Sequence, residues 1–207
     1  MSSKNYLSIY AKSFNWAGFF LPKKTYKNCS YLYDFCRVID NIADDEDEIE
    51  IKKIKFQKFV SDFKQKNFED PVIQNMWNII HEFNISLEII YDLFDGIESD
   101  IKQNIKIDTR KDLLIYCYRV AGTVGLMMAK ILNVSKKQSL KSAIDLGIAM
   151  QLTNISRDVI EDSKKNRSYI DRNFEEINST IELADTFYKN SFYSIREIPL
   201  SFRSVSY

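Results

Sequence analysis

Apolar stretches alternate with short polar breaks along the chain, in the manner of successive helices. Residues 144–155 are mostly apolar, and breaks such as Pro22 and Asp70-Pro71 come between stretches of this kind. Only 5 Gly and 3 Pro occur in 207 residues, so few positions force a turn. A many-stranded sandwich would need a turn signal about every 8–12 residues. The pattern therefore predicts an all-α fold.

Capping signals predict where several helices begin. Asp70 followed by Pro71 predicts an N-cap, with Pro at a position where its missing N–H costs nothing. The other predicted start signals are Ser86, Thr109 with Asp112, and Ser135 with Gln138. The predicted helices cover about residues 5–20, 23–45, one from 71, 86–101, 110–132, 136–162 and 180–197. No linker, low-complexity tract or repeat interrupts them, so residues 1–207 are predicted to form a single domain.

Composition excludes several classes of function. Lys+Arg and Asp+Glu balance at 29 each, which gives no basic surface for nucleic acid. A Ser-His-Asp triad would have to use the single histidine, His81, and a zinc site would have almost no imidazole. His81 is interpreted as an ordinary helix residue. Three cysteines without C-x-x-C spacing predict reduced thiols and a cytoplasmic setting.

Targeting signals are equally sparse in the sequence. The first ten residues lack the basic and apolar regions of a secretory signal. No uncharged run approaches the roughly 18 residues that span a bilayer. We therefore expect a cytoplasmic protein, either soluble or peripheral to a membrane.

Two pairs of aspartates carry the main chemical signal. Asp40 and Asp44 form D-N-I-A-D, and Asp158 and Asp162 form D-V-I-E-D. A separation of four residues places both carboxylates of a pair on one helix face, one turn apart. Like charges at this spacing destabilise a helix by a few tenths of a kcal/mol, so a cation is expected between them.

Polar residues extend each pair backwards along the same face. Tyr33 and Arg37 precede the first pair, and Gln151 and Asn154 precede the second on an otherwise apolar helix. Buried amides need hydrogen-bond partners, which indicates a cavity lined with polar groups. Gly122, in mid-helix, costs up to about 1 kcal/mol relative to Ala. Close approach of a neighbouring helix or of a long substrate would offset that cost.

Oxygen ligands of this kind suit hard cations. Mg²⁺ commonly takes one or two carboxylates together with phosphate oxygens, and Mn²⁺ is an alternative. Arg37, Arg157 and Arg167 could bind a diphosphate bidentately. A lone D-x-x-x-D is common on solvated helices, but two pairs that continue polar stripes favour a metal–diphosphate site. The sequence lacks an EF-hand loop, a Glu-x-x-His, a P-loop and a G-x-G-x-x-G.

The same residues resemble the squalene and phytoene synthases. Ser13-Phe14 with Leu21-Pro22 resembles the opening of that family. Y-D-F-C-R-V-I-D at 33–40 resembles the approach to its first aspartate-rich motif. Y-C-Y-R-V-A-G-T-V-G at 116–125 resembles its most distinctive string. Q-L-T-N-I-S-R-D at 151–158, followed by R-S-Y at 167–169, resembles its second aspartate-rich motif and the tail of that motif.

The resemblance, which covers about residues 13–170, implies a helical bundle with the two aspartate motifs on opposing walls of a central cavity. The residues it implies as Mg²⁺ ligands are Asp40, Asp44, Asn154, Asp158 and Asp162. Those it implies at the diphosphate are Arg37, Arg157 and Gln151. Tyr33 and Tyr116 would line the reaction centre, and Ser13 and Phe14 would lie at the donor diphosphate and the cavity wall.

The implied reaction joins two all-trans prenyl diphosphates head to head through a cyclopropylcarbinyl diphosphate. The string at 125–128 favours phytoene synthase, which uses two geranylgeranyl diphosphates and no NADPH. The first alternative is a squalene or dehydrosqualene synthase that uses farnesyl diphosphate. Contact with a membrane surface is expected because substrate and product are apolar, and the oligomeric state stays open.

Two departures from the family pattern keep a further alternative open. Asn41 stands where relatives often carry another aspartate, although Asp40 and Asp44 are intact. Relatives also continue for several more helices, so the chain is expected to lack the last helices of the family. A truncated product, a fragment or a minimal variant would each fit, as would a non-catalytic binding or scaffold protein.

Overall fold

The predicted all-α fold is confirmed in a computed structural model, which describes residues 21–102 and 104–192. The helices are α1 (Lys23–Asp44), α2 (Ile49–Lys64), α3 (Pro71–Glu82), α4 (Leu87–Ser99), α5 (Arg110–Cys117), α6 (Thr123–Ile131), α7 (Lys137–Lys164) and α8 (Phe174–Phe192). A π-helical segment, Tyr118–Gly122, joins α5 to α6. Two short strands, β1 (Ile105–Lys106) and β2 (Arg167–Ser168), complete the elements. The predicted helix over residues 5–20 lies outside the described residues.

Side-chain caps confirm three of the four predicted helix starts. Asp70 Oδ1 accepts a hydrogen bond from the backbone N–H of Val72 at 2.8 Å. Ser86 Oγ and Thr109 Oγ1 accept in the same way at the starts of α4 and α5. The predicted start at Ser135 is wrong, because Lys136 still has extended backbone angles and α7 begins after it without a side-chain cap.

Helix α2 was not among the predicted helices, because its lysines hide a narrow apolar stripe. Phe56, Phe59 and Phe63 are its buried residues, spaced so that they share one face. Phe35 of α1 packs against Phe59 and Phe63 with ring centroids 5.8 and 5.6 Å apart. These aromatic contacts place α2 on the outside of α1 and α4, where it closes the main hydrophobic core.

Residues 110–131 form one continuous helical stretch across α5, the π segment and α6, close to the predicted helix over 110–132. By length and composition alone this stretch, in the part of the chain that the structure describes, is apolar enough to cross a membrane. It packs against α4 and α7 inside the bundle. Helices in the core of a bundle have the same length and apolar composition.

Close packing of α6 on α7 depends on glycine. A Cβ added to Gly125 would overlap the backbone carbonyl oxygen of Ala143. A Cβ added to Gly147 would overlap the carbonyl oxygen of Ala121 and lie 2.7 Å from its carbonyl carbon. The neighbouring helix therefore explains the mid-helix glycines, and the two helix backbones touch where they flank the central cavity.

The two short strands connect the loop after α4 to the loop after α7. They pair in parallel, with Ile105 opposite Arg167 and Lys106 opposite Ser168. The backbone N–H of Ile105 donates to Asn166 at 3.1 Å, and that of Ile107 donates to Ser168 at 3.0 Å. This pairing fixes the backbone of Arg167 next to the C-terminal end of α4.

Candidate active site

A cavity of about 450 Å³ lies between α1, α6 and α7. The α7 residues that line it run from Ser139 to Asn154, a length of about 22 Å at the helical rise per residue. Most of its wall is apolar. The apolar side chains of the wall include Leu32, Leu93, Val120, Val124, Met128, Leu146 and Met150.

Four of the predicted site residues line this cavity. Tyr33 and Asp40 come from α1, and Gln151 and Asn154 come from the last part of the lined stretch of α7. The two polar stripes found in the sequence therefore reach the same cavity from different helices. Asp40, the one carboxylate among the described lining residues, lies at one end of the cavity, and the apolar length of the cavity lies beyond it.

The carboxyl of Asp40 lies in surroundings that oppose its negative charge. Burial raises the pKa of Asp40 to about 7, and the charges of Asp44 and Asp100 act in the same direction. The positive charge of Arg37 opposes the increase in this pKa. Arg37 also opposes the rise that burial causes in the pKa of Tyr33. Arg37 thus lies close enough to affect both cavity residues, but it does not offset the effect of burial on their pKa values.

Arg167 is engaged with protein groups at the end of α1. Its Nη1 donates to Asp44 Oδ1 at 2.9 Å, and its Nη2 donates to the carbonyl oxygens of Ala43 at 3.4 Å and Asp100 at 3.5 Å. The side chain of Arg167 is only 15% exposed, whereas that of Asp44 is 50% exposed. Arg167 therefore holds Asp44 in place, and Asp44 keeps a face open to solvent.

The second aspartate pair lies outside the described lining of the cavity. Arg157 forms a bidentate ion pair with Asp158, with N–O distances of 2.7 and 2.6 Å, and this pairing lowers the pKa of Asp158. Burial raises the pKa of Asp162, Arg167 opposes the rise, and the charges of Asp158 and Asp44 add to it. The influence of Asp44 on Asp162 shows that the ends of α1 and α7 approach each other.

Tyr116 is buried and does not line the described cavity. Its hydroxyl donates to Asp100 Oδ2 at 2.9 Å, and the hydroxyl of Tyr169 donates to Asp100 Oδ1 at 2.8 Å. The two tyrosine rings stack with centroids 4.7 Å apart. Burial raises the pKa of Asp100 to about 6, although both hydrogen bonds and Arg167 oppose the rise.

Sequence reasoning did not select Asp100 as a site residue. It lies alone at the C-terminal end of α4, with no second acidic residue at helical spacing on a polar stripe. Its partners come from α5 and from the segment that follows β2, so no local pattern marks it. The predicted residues Ser13 and Phe14 lie outside the described residues.

The donors around the cavity mouth fit a hard cation that binds together with phosphate. The described residues contain no preassembled group of three or more His, Cys, Asp or Glu that could hold a metal. Asp40, Asp44, Asp162 and Asn154 nevertheless offer oxygen ligands for this role, and the charges of Asp44 and Asp100 add to the effect of burial on the pKa of Asp40. Mg²⁺ commonly takes one or two carboxylates and completes its shell with phosphate oxygens.

The cysteines offer no nucleophile to this site. All three, Cys29, Cys36 and Cys117, are free. Burial raises the pKa of both Cys29 and Cys117 to about 12, so their thiols stay protonated at neutral pH. His81 is exposed on α3, beside Trp77.

Comparison with known proteins places the chain in a family. The family model for squalene/phytoene synthase matches residues 7–174. The chain is 33% identical to a phytoene synthase of Pseudescherichia vulneris over 172 residues, which are 77% of this chain and 55% of that protein. It is 33% identical to a 4,4'-diapophytoene synthase of Staphylococcus haemolyticus, over 79% of this chain and 59% of that protein. The chain thus spans little more than half the length of these curated relatives.

Solved structures show the same fold. A dehydrosqualene synthase in complex with ligand superposes with a TM-score of 0.80 at 27% identity, over 97% of this chain and 78% of that one. A squalene synthase of Alicyclobacillus acidocaldarius shares the fold with a TM-score of 0.75 at 17% identity, over 92% of this chain and 81% of that one. The family match spans both aspartate pairs, and the chain belongs to the squalene/phytoene synthase family.

Proposed function

We propose that this chain condenses two prenyl diphosphates head to head, with geranylgeranyl diphosphate as the substrate and phytoene as the product. The cavity carries this proposal, because it combines a long apolar wall with Asp40, Gln151 and Asn154 at one end. An apolar chain with a diphosphate at one terminus has the same distribution of polarity. The family and the phytoene synthases among its relatives support this choice.

The apolar tail would lie along α7 between α1 and α6, and the diphosphate would lie at the mouth beside Asp40 and Asp44. The acidic residues there fit Mg²⁺, which when bound supplies the positive charge that stabilises the departing diphosphate. Arg37 adds a fixed positive charge beside Asp40. These residues bind and orient the diphosphate while the apolar wall excludes water from the carbon chain.

The chemistry would need no protein nucleophile. The allylic C–O bond of one substrate breaks, and its electron pair leaves with the diphosphate. The double bond of the second substrate attacks the resulting cation, and loss of a proton gives a cyclopropylcarbinyl diphosphate. A second C–O cleavage, rearrangement and proton loss give the hydrocarbon, with the released diphosphate as the proton acceptor. The ring of Tyr33 lies at the cavity wall, where an aromatic face stabilises a cation.

A second candidate substrate is farnesyl diphosphate, and two observations favour it. The structure superposes on a dehydrosqualene synthase at 27% identity. A 4,4'-diapophytoene synthase is as similar in sequence as the phytoene synthase of Pseudescherichia vulneris, at 33% identity. The two candidates differ by one isoprene unit in each substrate, so the depth of the cavity decides between them.

The decisive experiment is product analysis with the full chain, Mg²⁺ and radiolabelled geranylgeranyl or farnesyl diphosphate. We expect a metal-dependent hydrocarbon whose formation falls about 100-fold or more in Asp40→Ala, because charge stabilisation at the diphosphate is lost. Asp185→Ala is the matched control, since Asp185 is an exposed carboxylate on α8 paired with Lys189. Phytoene as the product supports the proposal, and dehydrosqualene supports the second candidate. Binding of Mg²⁺ and diphosphate to the folded chain without turnover contradicts both and indicates a binding protein.

A further inference from the structure

A cluster of polar side chains centred on Asp100 lies beside the aspartates of α1. Asp100 follows the end of α4, and its two carboxylate oxygens accept hydrogen bonds from Tyr116 and Tyr169 at 2.9 and 2.8 Å. The stacked rings of the two tyrosines, with centroids 4.7 Å apart, restrict where each hydroxyl can point. Both oxygens of the carboxylate therefore have a fixed donor.

Arg167 extends this cluster to the first aspartate pair. Its Nη2 reaches the carbonyl oxygen of Asp100 at 3.5 Å, while its Nη1 donates to Asp44 at 2.9 Å. The pairing of β1 with β2 holds the backbone of Arg167 against the loop that follows Asp100. A continuous chain of contacts thus runs from Tyr116 through Asp100 and Arg167 to Asp44.

Stability alone does not account for a carboxylate at this position. Burial of a carboxylate is unfavourable even when its oxygens are hydrogen-bonded, and apolar packing often replaces buried ionic groups without loss. The charge of Asp100 also adds to the negative charge that already surrounds Asp40. A costly buried charge, held by two tyrosine hydroxyls within one contact of Asp44, is typical of a functional site.

We propose that Asp100 is a positioning residue of the prenyl-transfer site, an inference that rests on the proposed function. Its carboxylate fixes Tyr116 and Tyr169, and the backbone carbonyl next to that carboxylate helps to hold Arg167. Arg167 in turn fixes the carboxylate of Asp44 at the mouth of the cavity. Asp100 contacts neither substrate nor cavity, and it acts through these three side chains.

The test is the steady-state kinetics of Asp100→Asn. Asparagine keeps the shape of the side chain but loses the charge and can accept from only one tyrosine through Oδ1. We expect kcat to fall about 10- to 100-fold, as for other residues that orient a metal or substrate ligand, and KM to rise by no more than about tenfold. The matched control is Asp92→Asn. Asp92 lies on the same helix and accepts a hydrogen bond from the hydroxyl of Tyr118 at 3.0 Å, and kcat should stay unchanged.

A double-mutant cycle with Tyr169→Phe separates positioning from a general loss of structure. Tyr169→Phe removes one hydroxyl and leaves Asp100 bonded to Tyr116, so kcat should fall less than in Asp100→Asn. Both changes break the same hydrogen-bond network. The fold decrease in kcat of the double variant should therefore be smaller than the product of the two single decreases. If Asp100→Asn does not fold, Tyr169→Phe alone tests the network, and an unchanged kcat in that variant overturns the proposal.

A binding measurement distinguishes failure of this inference from failure of the proposed function. Calorimetry with Mg²⁺ and inorganic diphosphate needs no turnover. If the parent chain binds diphosphate without making product, Asp100→Asn should still weaken binding about tenfold. Equal binding by Asp100→Asn and Asp92→Asn overturns the inference. A parent chain with neither turnover nor diphosphate binding overturns the proposed function and this inference with it.

Discussion

At the scale of single residues, the carboxyl of Asp40 lies where ionisation is costly, as expected of the proposed cation site. Its environment stabilises the neutral form, because burial and the charges of Asp44 and Asp100 oppose ionisation. Sites that bind a charged ligand commonly hold such groups at a cost to the stability of the ligand-free protein. That cost depends on pH and can be measured.

Asp40→Asn should stabilise the metal-free protein at pH 8. Burial raises the pKa of Asp40 from 3.8 to about 7, so its contribution to stability is complete below pH 4 and is lost as the pH rises through 7. Asparagine never ionises, and the gain in stability at pH 8 should be on the order of 4 kcal/mol, falling towards zero at pH 4. Urea unfolding of both proteins with a chelator, across pH 4–8, measures this difference.

Asp158→Asn provides a control of opposite sign. Its bond to Arg157 lowers the pKa of Asp158, so this carboxylate stabilises the fold above its unfolded pKa and loses that effect as the pH falls. The ion pair between Arg157 and Asp158 is partly exposed. Asp158→Asn should therefore lower the free energy of unfolding at pH 8 by less than about 1 kcal/mol. An Asp40→Asn protein that is no more stable than its parent at pH 8 would contradict the assigned environment.

Spacing along the chain identified Asp40 and Asp158 because a four-residue interval has a fixed meaning on a helix. The same reasoning could not find Asp100 or assign Tyr169 to it. Their contact joins residues 69 positions apart and depends on how the loops after α4 and α7 meet. The sequence also predicted that Arg167 binds diphosphate, and this role stays a prediction. The structure adds a contact between Arg167 and Asp44 that the sequence did not predict.

At the scale of helices, the approach of α7 to the π segment fixes the width of the cavity. Ala121 and Gly147 both line it, and the backbones meet at this point. A π-helical turn widens the helix by one residue per turn and often lies at a functional site. Here it includes the cavity residues Val120 and Ala121.

Gly147→Ala should destabilise the protein although alanine favours helices. The new Cβ would lie 2.7 Å from the carbonyl carbon of Ala121, so α7 has to move away from the π segment. We expect the steric overlap to lower the free energy of unfolding by about 1–3 kcal/mol. This loss exceeds the gain of up to about 1 kcal/mol from the higher helix propensity of alanine. Thermal unfolding measures the loss, with the exposed α7 variant Lys141→Ala as the control. A Gly147→Ala protein as stable as its parent would show that the helices have room to separate.

Helix starts were predictable where a side chain caps the helix, as at Asp70 and Thr109. Helix α2 was missed because three phenylalanines carry its buried face among many lysines. The π segment has no sequence signal of its own, because it arises from the packing of α5 and α6 on α4 and α7. Local chemistry thus predicted the helices, whereas their tertiary contacts decided the details that shape the cavity.

At the scale of the whole molecule, the two different ends of the cavity would orient the proposed substrate. The end at Asn154 lies near Asp40, and the other end of the lined stretch of α7 is Ser139, about 22 Å away along the helix. An apolar tail that enters from the acidic end extends towards Ser139. The residues around Ser139 should therefore limit the length of prenyl chain that the protein accepts.

Ser139→Leu should shorten the cavity without loss of stability. Ser139 is 5% exposed, and its buried hydroxyl has no hydrogen-bond partner among the residues that the structure describes. Replacing an unsatisfied polar group by an apolar one removes a desolvation penalty, and the cavity offers space for the larger side chain. We expect a melting temperature equal to or above that of the parent.

The same substitution should change the choice of substrate. On the proposed function, kcat/KM for geranylgeranyl diphosphate should fall relative to that for farnesyl diphosphate by about 10-fold or more, because the longer tail loses its place at the closed end. Competition between the two labelled substrates measures this ratio in one reaction. Ser135→Leu, exposed and outside the cavity, is the control. If Ser139→Leu folds and the ratio stays the same, the tail does not run along α7 towards Ser139, and the chain length must be set elsewhere in the molecule.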